Sequence, residues 1–227
     1  MLQNLPVVTC MTDSALFTWT MVLPVKVLAR AKSRLAVLAG SRRADLALAL
    51  ASDTVSAVVA CPEVARVVVV TSDATAGSRL AALGAWVVPD EPGDGLNAAL
   101  RYGASVAADR WPASGVAALA ADLPALRPAE LGRALRAASA VGGAAFVPDA
   151  AGVGTTMYAV APGGVFRPMF GGASRARHAS AGAVELRLDG VPGLRRDVDT
   201  PEDLRAAVAL GAGFRTAEVA GDLFAGT

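Results

Sequence analysis

Little in this chain advertises its chemistry. It holds a single histidine, two cysteines and few aromatic residues (5%). One histidine without a Cys or His partner argues against a zinc site. Cys10 and Cys61 make no disulfide framework and point to reduced thiols in a cytosol. Charged residues are scarce (18%) and the net charge is only +1, so no basic field argues for nucleic acid. No apolar run reaches the roughly 18 residues that a bilayer span needs. The N-terminus lacks a basic segment followed by an apolar one, which argues against a secretory signal. Also missing are heptads, an internal repeat, and the GxxxxGK[ST], GxGxxG and GxSxG motifs. These absences lead to the expectation of a cytoplasmic protein whose partners are neither nucleic acid nor membrane.

What is present is an Ala/Val-rich chain of 227 residues, 54% hydrophobic, long enough to bury one substantial core. Residues 1–14 carry no periodic pattern and read as a tail, and Met21 offers an alternative start. Strands are expected at 16–25, 64–71, 85–89 and 115 to about 124, with helices between them. Ser41 is a candidate cap for the helix ending near Val59, Ser72 or Asp73 opens the next to Leu83, and a third runs from Gly95 to about Asp109. Pro128 suits a first helical turn, with that helix reaching Ala138. This alternation predicts a parallel, doubly wound α/β sheet. The second half is mixed: short strands at 144–148, 155–161 and 184–188, a long loop at 166–182, and a helix at 200–210. Residues 212–227 read as a loosely attached tail, leaving 15–211 as one domain.

The stretch GVAALAADLPAL (115–126) organises the rest. Its unbroken apolar run reads as the central strand of a parallel sheet, covered on both faces, and Pro124 ends it. Asp122 then stands at the carboxyl end of a buried strand, where open α/β sheets hold ligands, although it could equally cap the next turn. Asp197 and Asp199 are two apart, so on extended chain they share a face. With Asp122 they form a hard-oxygen set suited to Mg²⁺. The alternative is that Asp199 merely precedes a helix capped by Thr200-Pro201-Glu202-Asp203. Lys26, Lys32 and Arg34 follow the first strand and suit a triphosphate, or else make a solvated basic loop. Gly154-Thr155-Thr156 and Phe170-Gly171-Gly172-Ala173-Ser174 combine glycine with hydroxyls, which suits a small anion or ordinary turns. Asn97 could contact a base or ribose, or cap a helix. His178, beside Arg175 and Arg177, reads as a structural or surface residue.

Taken in order, six segments resemble the guanylyltransferase family of deazaflavin coenzyme F-420 biosynthesis. They are VLPVKVLARAKSRL (22–35), DGLNAAL (94–100), AADLPAL (120–126), VPDAAGVGTTMY (147–158), FGGASRARHASAG (170–182) and LRRDVDTPEDL (194–204). The resemblance implies a single-domain, GT-A-like (Rossmann-like) nucleotidyltransferase fold. It further implies transfer of GMP from GTP to the phosphate of phosphoenolpyruvate or 2-phospholactate, with release of pyrophosphate. The Ala, Gly, Arg and Val bias fits a GC-rich bacterial genome and so favours phosphoenolpyruvate.

By match to the family's positions, Asp122, Asp197 and Asp199 are expected to hold two Mg²⁺ ions. Lys26, Lys32 and Arg34 would neutralise phosphate charge. Thr156, Gly171 and Ser174 would hold the three-carbon acid, and Pro89, Asn97 and Ala120 would neighbour guanosine. A labile product would favour hand-off to a downstream transferase. Two rivals share the outline: a sugar-phosphate nucleotidyltransferase or glycosyltransferase of this fold, which usually has a glycine-rich rather than basic first loop, and a non-catalytic nucleotide-binding module.

Overall fold

A computed structural model describes residues 17–225. The elements, in chain order, are β1 (Trp19–Pro24), α1 (Ala36–Ala39), α2 (Arg43–Val59), β2 (Val64–Val70), α3 (Ala74–Ala81), β3 (Trp86–Val88), α4 (Leu96–Arg110), β4 (Gly115–Leu119) and α5 (Pro128–Val141). There follow β5 (Ala144–Pro148), β6 (Thr155–Val160), α6 (Ser174–Ser180), β7 (Val184–Glu185), α7 (Pro192–Arg195), α8 (Pro201–Ala209) and α9 (Phe214–Ala225).

The strands make one seven-stranded sheet in the order β3-β2-β1-β4-β6-β5-β7. β1 pairs in parallel with both β2 and β4, and β2 with β3. β6 runs antiparallel to β4 and β5, while β5 and β7 are parallel. The sheet is thus mainly parallel with a mixed second half. Both faces are covered, which is why β1 and β2 read as continuous apolar runs rather than alternating ones. Met21 and Leu23 pack on one face with Val55 and Val58 of α2 and Leu131 and Leu135 of α5. Val22 faces the other way, with Val68, Val70, and Ala99 and Leu100 of α4. A Cβ at Gly103 would fall 2.6 Å from Val22 Cγ1 and 2.7 Å from Val70 Cγ2, so glycine lets α4 lie directly on the sheet.

β4 is the middle strand, as its composition predicts, but it differs from expectation in two respects. It is parallel to one neighbour and antiparallel to the other. It also ends at Leu119, so Asp122 sits in the loop beyond it. α2 starts at Arg43 after a turn, and Ser41 is not its cap. Asp73 does cap α3, accepting from Ala76 N. Within the expected loop at 166–182 lies α6, and the strand expected at 184–188 shrinks to two residues. Met21 lies inside β1, fully buried. The expected tail at 1–14, with Cys10, lies outside the described residues. The expected C-terminal tail is instead α9, whose Ala220 and Leu223 join Leu46 and Leu50 of α2 in a third apolar cluster. Asp53 of α2 fastens α9 by accepting from Thr216 N (2.7 Å) and Arg215 Nη1 (3.2 Å).

Candidate active site

A cavity of about 460 Å³ opens at the carboxyl ends of β1 and β4. That is where a doubly wound sheet leaves a crevice, because the connections leave neighbouring strands toward opposite faces. β6 runs the other way, so its beginning rather than its end reaches this rim. Gly154 and Thr155 therefore join the cavity wall beside the segment after β4, whose Ala120 N donates to Thr156 O (2.8 Å).

The basic contribution comes from the loop after β1. Lys26, Lys32 and Arg34 all line the cavity. The loop is shaped from both sides: Asp73, the α3 cap, also accepts from Leu28 N (2.9 Å), and Arg43 donates to Ala29 O (2.5 Å). Lys32 has φ +53°, a left-handed conformation adopted by no other non-glycine residue among those described. Such a backbone costs about 1–3 kcal/mol and persists where surrounding contacts enforce it. The contacts here are ionic. The Lys32 ammonium donates to Asp122 Oδ2 and to Asp199 Oδ1, the latter at 3.0 Å. Burial opposes its charge, but these two carboxylates outweigh burial and raise its pKa above the ordinary lysine value.

The acidic contribution comes from two remote segments joined by backbone: Val198 N donates to Asp122 O (3.1 Å). Asp122, Asp197 and Asp199 all line the cavity. Asp197 is partly buried, and burial, followed by the charges of Asp122 and Asp199, raises its carboxyl pKa to about 7. The cap of α8 is separate. Asp203 N donates to Thr200 Oγ1, while Asp203 Oδ2 accepts from Thr200 N (3.0 Å), a reciprocal capping box. Asp203 is the carboxylate of that box, and Asp199 pairs with Lys32. Among the described residues, no group of three or more His, Cys, Asp or Glu side chains is arranged to hold a metal ion. The lysine ammonium is the cation that joins Asp122 to Asp199.

The remaining expected residues divide. Gly171 and Ser174 line the cavity, Ser174 being buried in its wall. Thr155, rather than Thr156, is the lining threonine: successive side chains on β6 point to opposite faces, and the Thr156 hydroxyl is buried without a hydrogen-bond partner. Ala120 is in the wall, whereas exposed Pro89 is not. Asn97 is also absent from the wall. Its side chain grips the backbone of Phe170 instead, accepting from Phe170 N (2.8 Å) and donating to Phe170 O (3.0 Å).

Asp149 is a lining carboxylate that the sequence reading passed over. It accepts from Val153 N (2.9 Å) and Gly154 N (2.8 Å), closing the β5–β6 turn. A Cβ at Gly154 would lie 2.4 Å from Asp149 Oδ2, so the turn requires glycine. An aspartate five residues before a glycine, between two strands, was the available signal.

Comparison with known proteins bears on the fold and the family. A family model for the MobA-like NTP transferase domain matches residues 47–185. The phosphoenolpyruvate guanylyltransferase of Thermomonospora curvata is 61% identical over 209 residues, 92% of this chain and 91% of that protein. The phosphoenolpyruvate guanylyltransferase of Streptomyces coelicolor is 63% identical over 206 residues, 90% of this chain and 97% of that protein. Among solved structures, a nucleotidyl transferase from Methanothermobacter superposes with a TM-score of 0.56 at 20% identity, covering 85% of this chain and 97% of that one. That likeness shows the fold alone. The chain belongs to the phosphoenolpyruvate guanylyltransferase family, within the MobA-like NTP transferases.

Proposed function

We propose that this family member transfers GMP from GTP to the phosphate of phosphoenolpyruvate, giving enolpyruvoyl-2-diphospho-5'-guanosine and pyrophosphate, in coenzyme F-420 biosynthesis. The observation that carries the reading is convergence in one cavity: three cationic side chains, four aspartates and the Gly171–Ser174 loop, drawn from five separate stretches of chain.

The chemistry is a displacement at phosphorus. An oxygen of the acid's phosphate attacks the α-phosphorus of GTP, the bond from that phosphorus to the bridging β-oxygen breaks, and pyrophosphate leaves with the electron pair. The attacking phosphate is already ionised, so no general base is needed. What is needed is alignment and relief of repulsion between two anions. Lys26, Lys32 and Arg34 supply positive charge for the triphosphate and for the departing pyrophosphate. Thr155, Gly171 and Ser174 offer hydroxyl and amide donors to the acid. Ala120 and the loop around it take the nucleoside side.

The donor chemistry of Asp122, Asp197 and Asp199 fits a hard divalent cation such as Mg²⁺. Support comes from Lys32, whose ammonium already bridges Asp122 and Asp199, and from Asp197 in the same cavity wall, whose carboxyl pKa is raised first by burial and then by the charges of those two aspartates. These three residues would hold the metal once Lys32 turns to phosphate. Bound there, one or two such ions would supply charge neutralisation for the attacking and leaving oxygens. The product is a mixed phosphoanhydride, which favours direct hand-off to a downstream transferase. A cytoplasmic setting suits these substrates. Among the described residues no helix is long and apolar enough to cross a membrane.

Pyrophosphate release from GTP and Mg²⁺ tests the reading. Release is expected with phosphoenolpyruvate and not without it. Release only with 2-phospholactate or only with a sugar phosphate would move the chain to a sister activity, and release with none would make it a binding module.

A further inference from the structure

Residues 166–173 form neither strand nor helix, so the backbone groups of Met169 and Phe170 have no ladder to satisfy them. Buried N–H and C=O groups must still find partners. Side chains provide them here. His178 Nε2 accepts from Met169 N (2.9 Å). The Asn97 amide accepts from Phe170 N and donates to Phe170 O. Arg177 donates to Met169 O (3.1 Å), to Phe170 O (3.4 Å) and to Gly171 O. Two successive residues therefore have all four backbone polar groups held by α4 and α6.

The other ends of these contacts lead into the cavity. Because His178 Nε2 accepts, its Nδ1 carries the proton and donates to Thr155 Oγ1 (3.0 Å), a lining residue on β6. The ring is fully buried, stacked on Tyr158 at 4.6 Å. Asn97 is flanked by Leu96 and, one turn on, by Leu100, both in the cavity wall. Immediately after the gripped segment come Gly171 (φ +95°) and Gly172 (φ +48°), which line the cavity and have no side chain to fix them, and then Ser174.

We propose that His178 and Asn97 are positioning residues that clamp Met169 and Phe170, and so set Gly171, Gly172 and Ser174 in the geometry that receives the three-carbon acid. The clamp rests on the reading that this loop is the acid pocket. Neither side chain touches substrate. They act by fixing the spacing between the loop, β6 and α4, three walls of one cavity.

The test is steady-state kinetics of Asn97→Ala and His178→Phe beside Ser174→Ala. His178→Phe keeps a flat ring on Tyr158 and removes both hydrogen bonds. Misplaced donors weaken binding of the acid in ground and transition states alike, so KM for phosphoenolpyruvate is expected to rise by about tenfold or more, while kcat at saturating acid and KM for GTP stay within about threefold. Asn97→Asp keeps the acceptor for Phe170 N but loses the donor, and is expected to fall between wild type and Asn97→Ala. Folded variants with lowered melting temperature and an unchanged KM for the acid would reduce the clamp to a packing role and overturn it. An equal rise in both KM values would overturn it too.

Ser174→Ala separates the two layers. If it raises the acid KM while the clamp variants do not, the pocket stands and the clamp falls. If it leaves the acid KM untouched, the pocket reading itself falls. Should the clamp variants not fold, hydrogen exchange of the wild type decides. Met169 and Phe170 amides should exchange slowly, and phosphoenolpyruvate should slow exchange at 171–174. Fast exchange at Met169 and Phe170 would refute the clamp.

Discussion

Lys32→Met separates the carboxylate bridge that the Lys32 ammonium makes from the phosphate contact proposed for it. Methionine nearly matches lysine in length and is equally strained at φ +53°, so the substitution changes charge more than shape. Side chains of Lys32 and Asp122 are 13% and 22% exposed, and Asp199 is 54% exposed. Removing one partner of a buried pair costs about 3–5 kcal/mol, whereas exposed pairs are worth about 0–1 kcal/mol. Weighting the inner contact over the outer one gives a loss of roughly 2–3 kcal/mol, or about 4–12 °C in a domain of this size.

The loss should be specific to low divalent cation. With no lysine to offset them, Asp122, Asp197 and Asp199 repel one another, and magnesium binding to the native state then stabilises by mass action. Differential scanning fluorimetry without nucleotide should show Mg²⁺ raising the variant's melting temperature more than the wild type's. Turnover should still fall, by about 100-fold or more, because added Mg²⁺ does not replace a phosphate donor. A variant as stable as wild type without metal, and no more responsive to Mg²⁺, would mean that the bridge contributes nothing and that the carboxylates do not form a cation site.

Asp197→Asn removes one like charge from the same cluster. It should leave stability without metal unchanged or slightly higher, yet sharply lower turnover at low Mg²⁺; wild-type rates at every Mg²⁺ concentration would remove Asp197 from the site. Gly103→Ala should cost about 1–2 kcal/mol, as overpacking against Val22 and Val70 outweighs the better helix propensity of alanine. Urea titration would show no loss if α4 can lift from the sheet freely. His178 gives a pH signature. Burial, then the Arg177 charge, lowers its pKa from 6.5 to about 4. Its neutral form therefore contributes stability that is fully present above pH 6.5 and is lost as pH falls toward 4, up to about 3 kcal/mol. Denaturant midpoints at pH 7.5, 6.0 and 5.0 should drop for wild type and less for His178→Phe. Parallel slopes would show that His178 does not titrate between the folded and unfolded states.

The first half of the fold was legible because its elements are set by local pattern. Continuous Val/Ala runs mark covered strands, and Asp73 and Pro128 mark helix starts. Elements held by tertiary contact were harder to read. α9 is held by Asp53 and by small residues such as Ala220, and nothing near Gly211 announces that partner. α6 is short and preceded by two glycines, which locally speak for a loop. The charged residues of the cavity were legible because lysine is scarce, with Lys26 and Lys32 in one loop after β1, and because Asp122 follows the unbroken apolar run of β4. Asn97 was expected beside guanosine, whereas its side chain holds the Phe170 backbone; His178, expected to be structural or at the surface, is a buried structural residue. A polar side chain that satisfies someone else's backbone looks, in sequence, the same as one that awaits a ligand. Which threonine faces the cavity depends on the pleat phase of β6, and a Thr-Thr pair does not reveal that phase.

One reversed strand has a consequence for how the acceptor side can change. Since β6 enters the rim at its start, the turn that Asp149 closes is also the piece that carries Thr155 to the cavity. On the proposed assignment, lengthening or shortening that turn would redraw the acceptor pocket while β1 through β4, on the side proposed for the triphosphate, kept their pairing. Selectivity for the acceptor and handling of the nucleotide would then hang on different hinges of the same sheet, so that one could drift while the other stayed fixed.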